Sequence, residues 1–168
     1  PMAFGTTVDT IPAAMPYLYA DRAKVEGWRK RLGRKGRLRV GLVWSGSTRH
    51  KGDAERSIAL ADLLPLAELP VQMHSLQKDY RPADLETLAH HPAIRQHHDK
   101  LNDFSDTAAL IECLDLVISV DTSVVHLAGA LGKPVWVLLP MVPDFRWLLD
   151  RSDSPWYPTA RLFRQRQD

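Results

Sequence analysis

"ISVDTSVVHLAGALGKPVWVLL", residues 118–139, is a run of strand formers that breaks at Asp121-Thr122-Ser123 and resumes as a helix with His126 in its first turn. The helix closes at Gly132-Lys133-Pro134, and a second apolar run follows at once. Strand, helix and strand in so short a stretch is the unit that lays two parallel strands side by side. The same rhythm extends outward in both directions. Strands are expected at "LRVGLVW" (38–44), "VQMHSLQ" (71–77), "AIRQHH" (93–98), "DLVISV" (115–120), "PVWVLL" (134–139) and "ARLFRQ" (160–165). Between them lie helical patterns: the leucines 60, 63 and 64, then "PADLETLAHH", "SDTAALIECL" and "SVVHLAGALG". The expectation is an α/β fold, an open parallel sheet with helices on both faces. Ahead of it "DRAKVEGWRKRLG" reads as a separate helix ending at Gly33, so residues 1–36 are taken as an approach segment with a linker helix and 37–168 as the sheet-bearing domain. The turn-rich start at Pro1 reads as part of a longer protein.

Composition narrows the class without choosing a function. The 168 residues are 45% hydrophobic and 25% charged, ordinary for one globular domain. The longest apolar stretch, Pro134 to Val142, is far too short for a membrane span, and a cytoplasmic protein is expected. Cys113 is the only cysteine, so no internal disulfide forms, and it reads as a small buried side chain. Net charge is +2, yet residues 22–39 hold nine Lys or Arg and the last eight residues hold three more. Such runs are usually a solvated face; a phosphate site is the minority reading, and no nucleic-acid partner is expected.

In an open parallel sheet, ligands bind beyond the carboxyl ends of the strands. If Val120 ends a strand and a helix starts near Ser123, the first N–H groups of that helix lack acceptors and, with the helix dipole, attract an anion. Thr122 and Ser123 offer hydroxyls there, and His126 leans back towards the same point. The turn Asp121, Thr122, Ser123, His126 therefore reads as a diphosphate cradle. The plain alternative is a helix cap with a satisfied histidine, at about even odds on pattern alone, since such caps are common. A hydrolytic triad of Asp121, Ser123 and His126 is disfavoured, because nucleophile and base would share one helical turn. In the first loop, Gly46 permits close approach, and Arg49, Lys51 and Arg56 are candidate cations opposite the cradle. Gln77 and Lys78, after the second strand, suit ribose hydroxyls or phosphate. Trp44, Trp136, Phe145, Trp147, Trp156 and Tyr157 are taken mostly as packing, and His90, His91, His97 and His98 as surface histidines. There is no G-x-G-x-x-G after the first strand, no P-loop, and no D-x-D pair to hold a metal-bound diphosphate.

These residues carry a likeness. "RVGLVWSGSTRHKGDAERSIAL", "SLQKD", "DFSDTAALIECLDLVIS", "SVDTSVVHLAGALGKPVWVLLP" and "DSPWYPTARLFRQ", in that order, resemble the carboxyl-terminal domain of glycosyltransferase family 9, the heptosyltransferases, in the version found behind tetratricopeptide repeats. The resemblance implies a Rossmann-like domain, the donor-binding half of a two-domain GT-B enzyme. It implies sugar transfer from a nucleotide diphosphate donor with inversion, no metal and no cofactor beyond that substrate. The family pattern D-T-G-x-x-H falls on Asp121, Thr122, Ser123 and His126, with serine in place of glycine. A basic K-R-W-P element of the family is matched loosely by Glu55-Arg56-Ser57-Ile58, with Arg56 and Lys51 as its candidate cations, and Gln77 stands where the family has an acidic residue near the donor ribose. The general base, in the family an aspartate of the amino-terminal domain, is expected outside this chain, so no catalytic residue is assigned. Its partners would be that missing domain, repeat domains, and a nucleotide sugar or nucleoside diphosphate. The competing reading is a nucleotide-binding or protein-interaction module without turnover.

Overall fold

The computed structural model describes residues 2–49 and 51–166. Its strands are β1 (Arg39–Val43), β2 (Gln72–Ser75), β3 (Ile94–Arg95), β4 (Leu116–Val120), β5 (Val135–Leu139) and β6 (Ala160–Arg164). They form one parallel sheet in the order β3-β2-β1-β4-β5-β6. The chain builds outward from β1 through β3, then returns to lay β4 against the other side of β1, with Val43 opposite Ser119. Loops leaving β1 and β4 thus run in opposite directions, and a crevice opens between their carboxyl ends.

The helices are α1 (Arg22–Leu32), the single turns α2 (Asp53–Arg56) and α3 (Leu64–Ala67), α4 (Pro82–His90), α5 (Phe104–Glu112) and α6 (Ser123–Ala130). Every residue of β1 is buried, as expected of a central strand covered on both sides. Val43, Val117 and Val137 face one core with Leu110, Ile111 and Val125, while Leu42, Met73 and Ile118 face a second with Leu60 and Leu88. Each such fully buried side chain contributes about 1.5–3 kcal/mol. Cover is uneven at the edge: Trp136 and Phe163 pack together at 5.1 Å on a partly open face of β5 and β6, with the Arg161 guanidinium over Phe163.

The helix expected to stand apart as a linker packs into the first core. Asp21 caps α1 by accepting from Lys24 N at 2.9 Å, Gly33 ends it at φ 70°, and Val25, Trp28 and Leu32 are buried along one stripe facing α5. Lys24 adds ion pairs to Asp103 and Asp106 across that contact. The approach segment is tied down further on, where Tyr17 N and Leu18 N both donate to Ala130 O at the end of α6. Two expectations need correction. The third strand is only Ile94–Arg95, because the chain then turns inward. That turn buries His97, against the expectation of a surface residue: it lies edge-on to Trp28 and 3.0 Å from the fully buried His74. Burial pushes the His74 imidazole down to about 3 and that of His97 to about 4. Among the described residues no helix is long and apolar enough to cross a membrane.

Candidate functional site

The break in the opening stretch is the start of α6. Thr122 is extended (φ −137°, ψ 172°) and its hydroxyl does not cap the helix. It lies 3.2 Å from Ser119 Oγ instead. Ser119 spends its own proton on Val120 O at 2.7 Å, so Thr122 donates to Ser119. Val125 N is satisfied by Thr122 O at 3.1 Å, but the N–H groups of Ser123 and Val124 find no acceptor among the described residues. Two free donors and the positive end of the helix dipole therefore face the β1/β4 crevice, with the exposed Ser123 side chain beside them.

His126 sits one turn in, stacked on the buried Trp147 (centroids 5.5 Å apart, planes 13°) and with Nδ1 3.0 Å from the Tyr157 hydroxyl. Burial holds its pKa below the usual value, against the pull of Asp121, so the ring is neutral at pH 7. The Tyr157 phenol is pushed well above its normal range by burial and by the neighbouring Tyr17 hydroxyl. Tyr157 reaches His126 because α6 carries Gly129 beneath its ring; a Cβ there would lie 2.4 Å from the ring.

Across the crevice, Arg56 lays its guanidinium on Gly46, where an added Cβ would stand 2.3 Å from Nη2. Its Nη1 donates to the backbone carbonyl of Asp121 at 3.0 Å, joining the loop after β1 to the loop after β4. A cluster absent from the sequence reading holds this arginine. The buried Asp53 carboxylate lies 3.5 Å from Arg56 Nε and accepts from Arg81 Nη2 and from Ser57 Oγ. Ser57 Oγ in turn accepts from Gly46 N at 3.2 Å. One carboxylate thus lies between two guanidinium groups, and the Nε atoms of both arginines are buried without a hydrogen-bond partner.

The structure thus brings together Asp121, Thr122, Ser123, His126, Gly46 and Arg56 at the crevice. It does not bring in the rest. Gln77 is buried and its amide is consumed by Ser45, accepting from Ser45 N at 3.3 Å and donating to Ser45 O and Oγ at 3.0 Å. That clasp ties the end of β2 to the end of β1 and turns the side chain away from any ligand. Lys78 extends over the surface to His98 O at 3.1 Å, and Lys51 is exposed. Arg81, missed in sequence, lines a cleft of about 570 Å³ with residues 45–49 and with Asp79, Tyr80 and Pro82. The one sequence signal for it was its place just before the helix-opening Pro82, at the carboxyl end of β2. Among the other candidates, Trp44 and Trp147 are fully buried, whereas Phe145 is 76% exposed.

Comparison with known proteins agrees with this architecture. The model of the family described as Glycosyltransferase family 9 (heptosyltransferase) matches residues 99–139, the stretch that includes β4 and the start of α6. Protein FlbA of Caulobacter vibrioides is 28% identical over 166 residues, 94% of this chain and 27% of FlbA. The structure of E. coli ADP-heptose lps heptosyltransferase II superposes with a TM-score of 0.65 at 20% identity, over 94% of this chain and 47% of that one. The chain therefore spans about a quarter of one relative and about half of the other.

Proposed function

We propose that this domain, which is like that of glycosyltransferase family 9, binds the diphosphate of a nucleotide-sugar donor at the N-terminus of α6 and presents it for sugar transfer with inversion, without a metal ion. One observation carries the reading: Arg56 crosses Gly46 to Asp121 O beside the unpaired N–H groups of Ser123 and Val124. A buried-side cation and free backbone donors converge where the sheet changes direction. When the sugar leaves, negative charge grows on the diphosphate, and fixed donors with a helix dipole stabilise that charge without reorganising. His126 adds a side-chain donor at the same point, while the Thr122 proton is taken by Ser119. The acceptor hydroxyl still needs a base. The residues gathered at the N-terminus of α6 suit an anion, and on this reading the base belongs to a second Rossmann-like domain, with tetratricopeptide repeats ahead of it.

The exposed Ser123, where the family pattern has glycine, supports a second reading, a nucleotide-binding or interaction module that has lost turnover. The donor-site reading requires the chain to bind a nucleoside diphosphate, whereas a protein-interaction module does not. A ligand that binds only the folded state raises stability with saturation. Calorimetry and thermal shift with millimolar UDP, ADP, GDP and their sugars should show heat and a higher melting temperature for at least one. Silence from all of them removes the donor site.

A further inference from the structure

The His126 ring is held by segments far apart in the chain: Trp147 lies against its face, and Tyr157, resting on Gly129, meets its Nδ1. Which ring nitrogen carries the proton is set by the hydrogen bond the other one makes. Tyr157 is 9% exposed and its phenol stays protonated, so the hydroxyl must place its proton on a neighbour. Two neighbours offer themselves, His126 Nδ1 at 3.0 Å and the Tyr17 hydroxyl. Tyr17 is 54% exposed and donates or accepts freely with water, whereas Nδ1 has no other partner among the described residues.

We propose that Tyr157 is a positioning residue: its hydroxyl donates to His126 Nδ1, holds the imidazole in the Nε2–H tautomer, and so aims a neutral N–H donor at an anion on the N-terminus of α6. The anion half rests on the function proposed above; the tautomer half does not. The charges acting on His126 are Asp121 and Asp144, which favour protonation, and Arg146, which opposes it. None of them touches Nδ1, so the Tyr157 hydroxyl alone decides the tautomer. The arrangement also reaches back to the approach segment, because Tyr17 sits beside Tyr157 and its backbone N–H is bound to Ala130 O at 3.0 Å.

Long-range nitrogen–proton NMR of the His126 ring, in the parent chain and in Tyr157→Phe, tests the assignment. The phenylalanine keeps the ring over Gly129, so the variant should melt near the parent temperature. The parent should show a protonated Nε2 and a bare Nδ1. Freed of its donor, Nδ1 in the variant should accept a proton more readily, moving the titration midpoint up towards about 6.5. Affinity for UDP, ADP or GDP should fall by roughly tenfold, the low end for one hydrogen bond to a charged group. In a His126→Ala background, Tyr157→Phe should cause no further loss. A proton on Nδ1 in the parent, or a midpoint that falls or stays fixed in the variant, overturns the assignment. If no diphosphate binds the parent chain, the anion half fails with the proposed function, and the NMR result still decides the tautomer.

Discussion

Gly46→Ala is a substitution whose effect passes through a single named contact. The backbone of Gly46 is not in the left-handed region, so alanine is conformationally acceptable, and only space is at issue. Its Cβ would stand 2.3 Å from Arg56 Nη2 and 2.6 Å from Cζ, so the guanidinium must withdraw by more than an ångström. The bond from Nη1 to Asp121 O then breaks. A hydrogen bond to a charged group is worth about 1.5–3 kcal/mol, here near the low end because a displaced guanidinium finds water. Alanine recovers about 0.4–1 kcal/mol by restricting the unfolded chain. The net loss is about 1 kcal/mol, or roughly 2–4 °C in melting temperature for a domain of this size. Diphosphate affinity should fall more, by about tenfold, since the cation leaves the crevice. Arg56→Ala removes the same bond directly, so a thermodynamic cycle separates this account from a general packing fault. The double variant should bind like Arg56→Ala alone and melt slightly above it, by the roughly 0.4–1 kcal/mol that alanine recovers in the unfolded chain. Additive losses would refute the reasoning, because they would mean the methyl group disturbs something other than Arg56.

Two further outcomes follow from other parts of the molecule. His74 and His97 stay neutral when folded, with pKa values pushed down to about 3 and about 4 by burial, whereas the unfolded chain takes up their protons below about 6.5. Their contribution is therefore complete above pH 6.5 and lost as pH falls towards 4, by at most about 2 kcal/mol each at pH 5; urea midpoints at pH 7, 6 and 5 should decline, and His97→Leu should roughly halve the slope. For transfer itself, a correctly placed base is worth about 10² to 10⁴-fold and reactant positioning about 7–11 kcal/mol, so on the proposed function this chain alone should bind donor yet show no acceptor-dependent turnover. Acceptor-dependent turnover by this chain alone would show that the base lies within these residues.

The fold was legible because its signal is local. Alternation of short apolar runs with helical spacing, punctuated by Gly33 and by Gly132 at φ 69°, is written in neighbouring residues, and it located all six strands. What failed was extent where tertiary contact overrides pattern. The run at residues 93–98 has the composition of a strand, but His97 folds back onto His74 and Trp28, and pairing stops at Arg95. The linker helix was legible as a helix but not as a core element. Its polar face is dense with Lys and Arg, which masks how completely Val25, Trp28 and Leu32 are buried.

The candidate site divides along the same line. The α6 turn could be read because helix termini create free N–H groups by geometry alone, whatever surrounds them. Side-chain direction at a strand's end obeys no such rule. Gln77 and Arg81 leave the same strand, and both look suited to a ligand; yet Gln77 turns inward to clasp Ser45, while Arg81 reaches Asp53 and the cleft. The difference is set by partners distant in the sequence: Ser45 closes the gap between β1 and β2, and Asp53 rises from α2 as a buried charge that must be matched. A buried carboxylate forces an arginine towards it, and that requirement fixes Arg56 over Gly46 as well. The charge on Asp53 thus holds Arg56 of α2 and Arg81 at the start of α4 side by side at the crevice, a role that no motif at Asp53 announces.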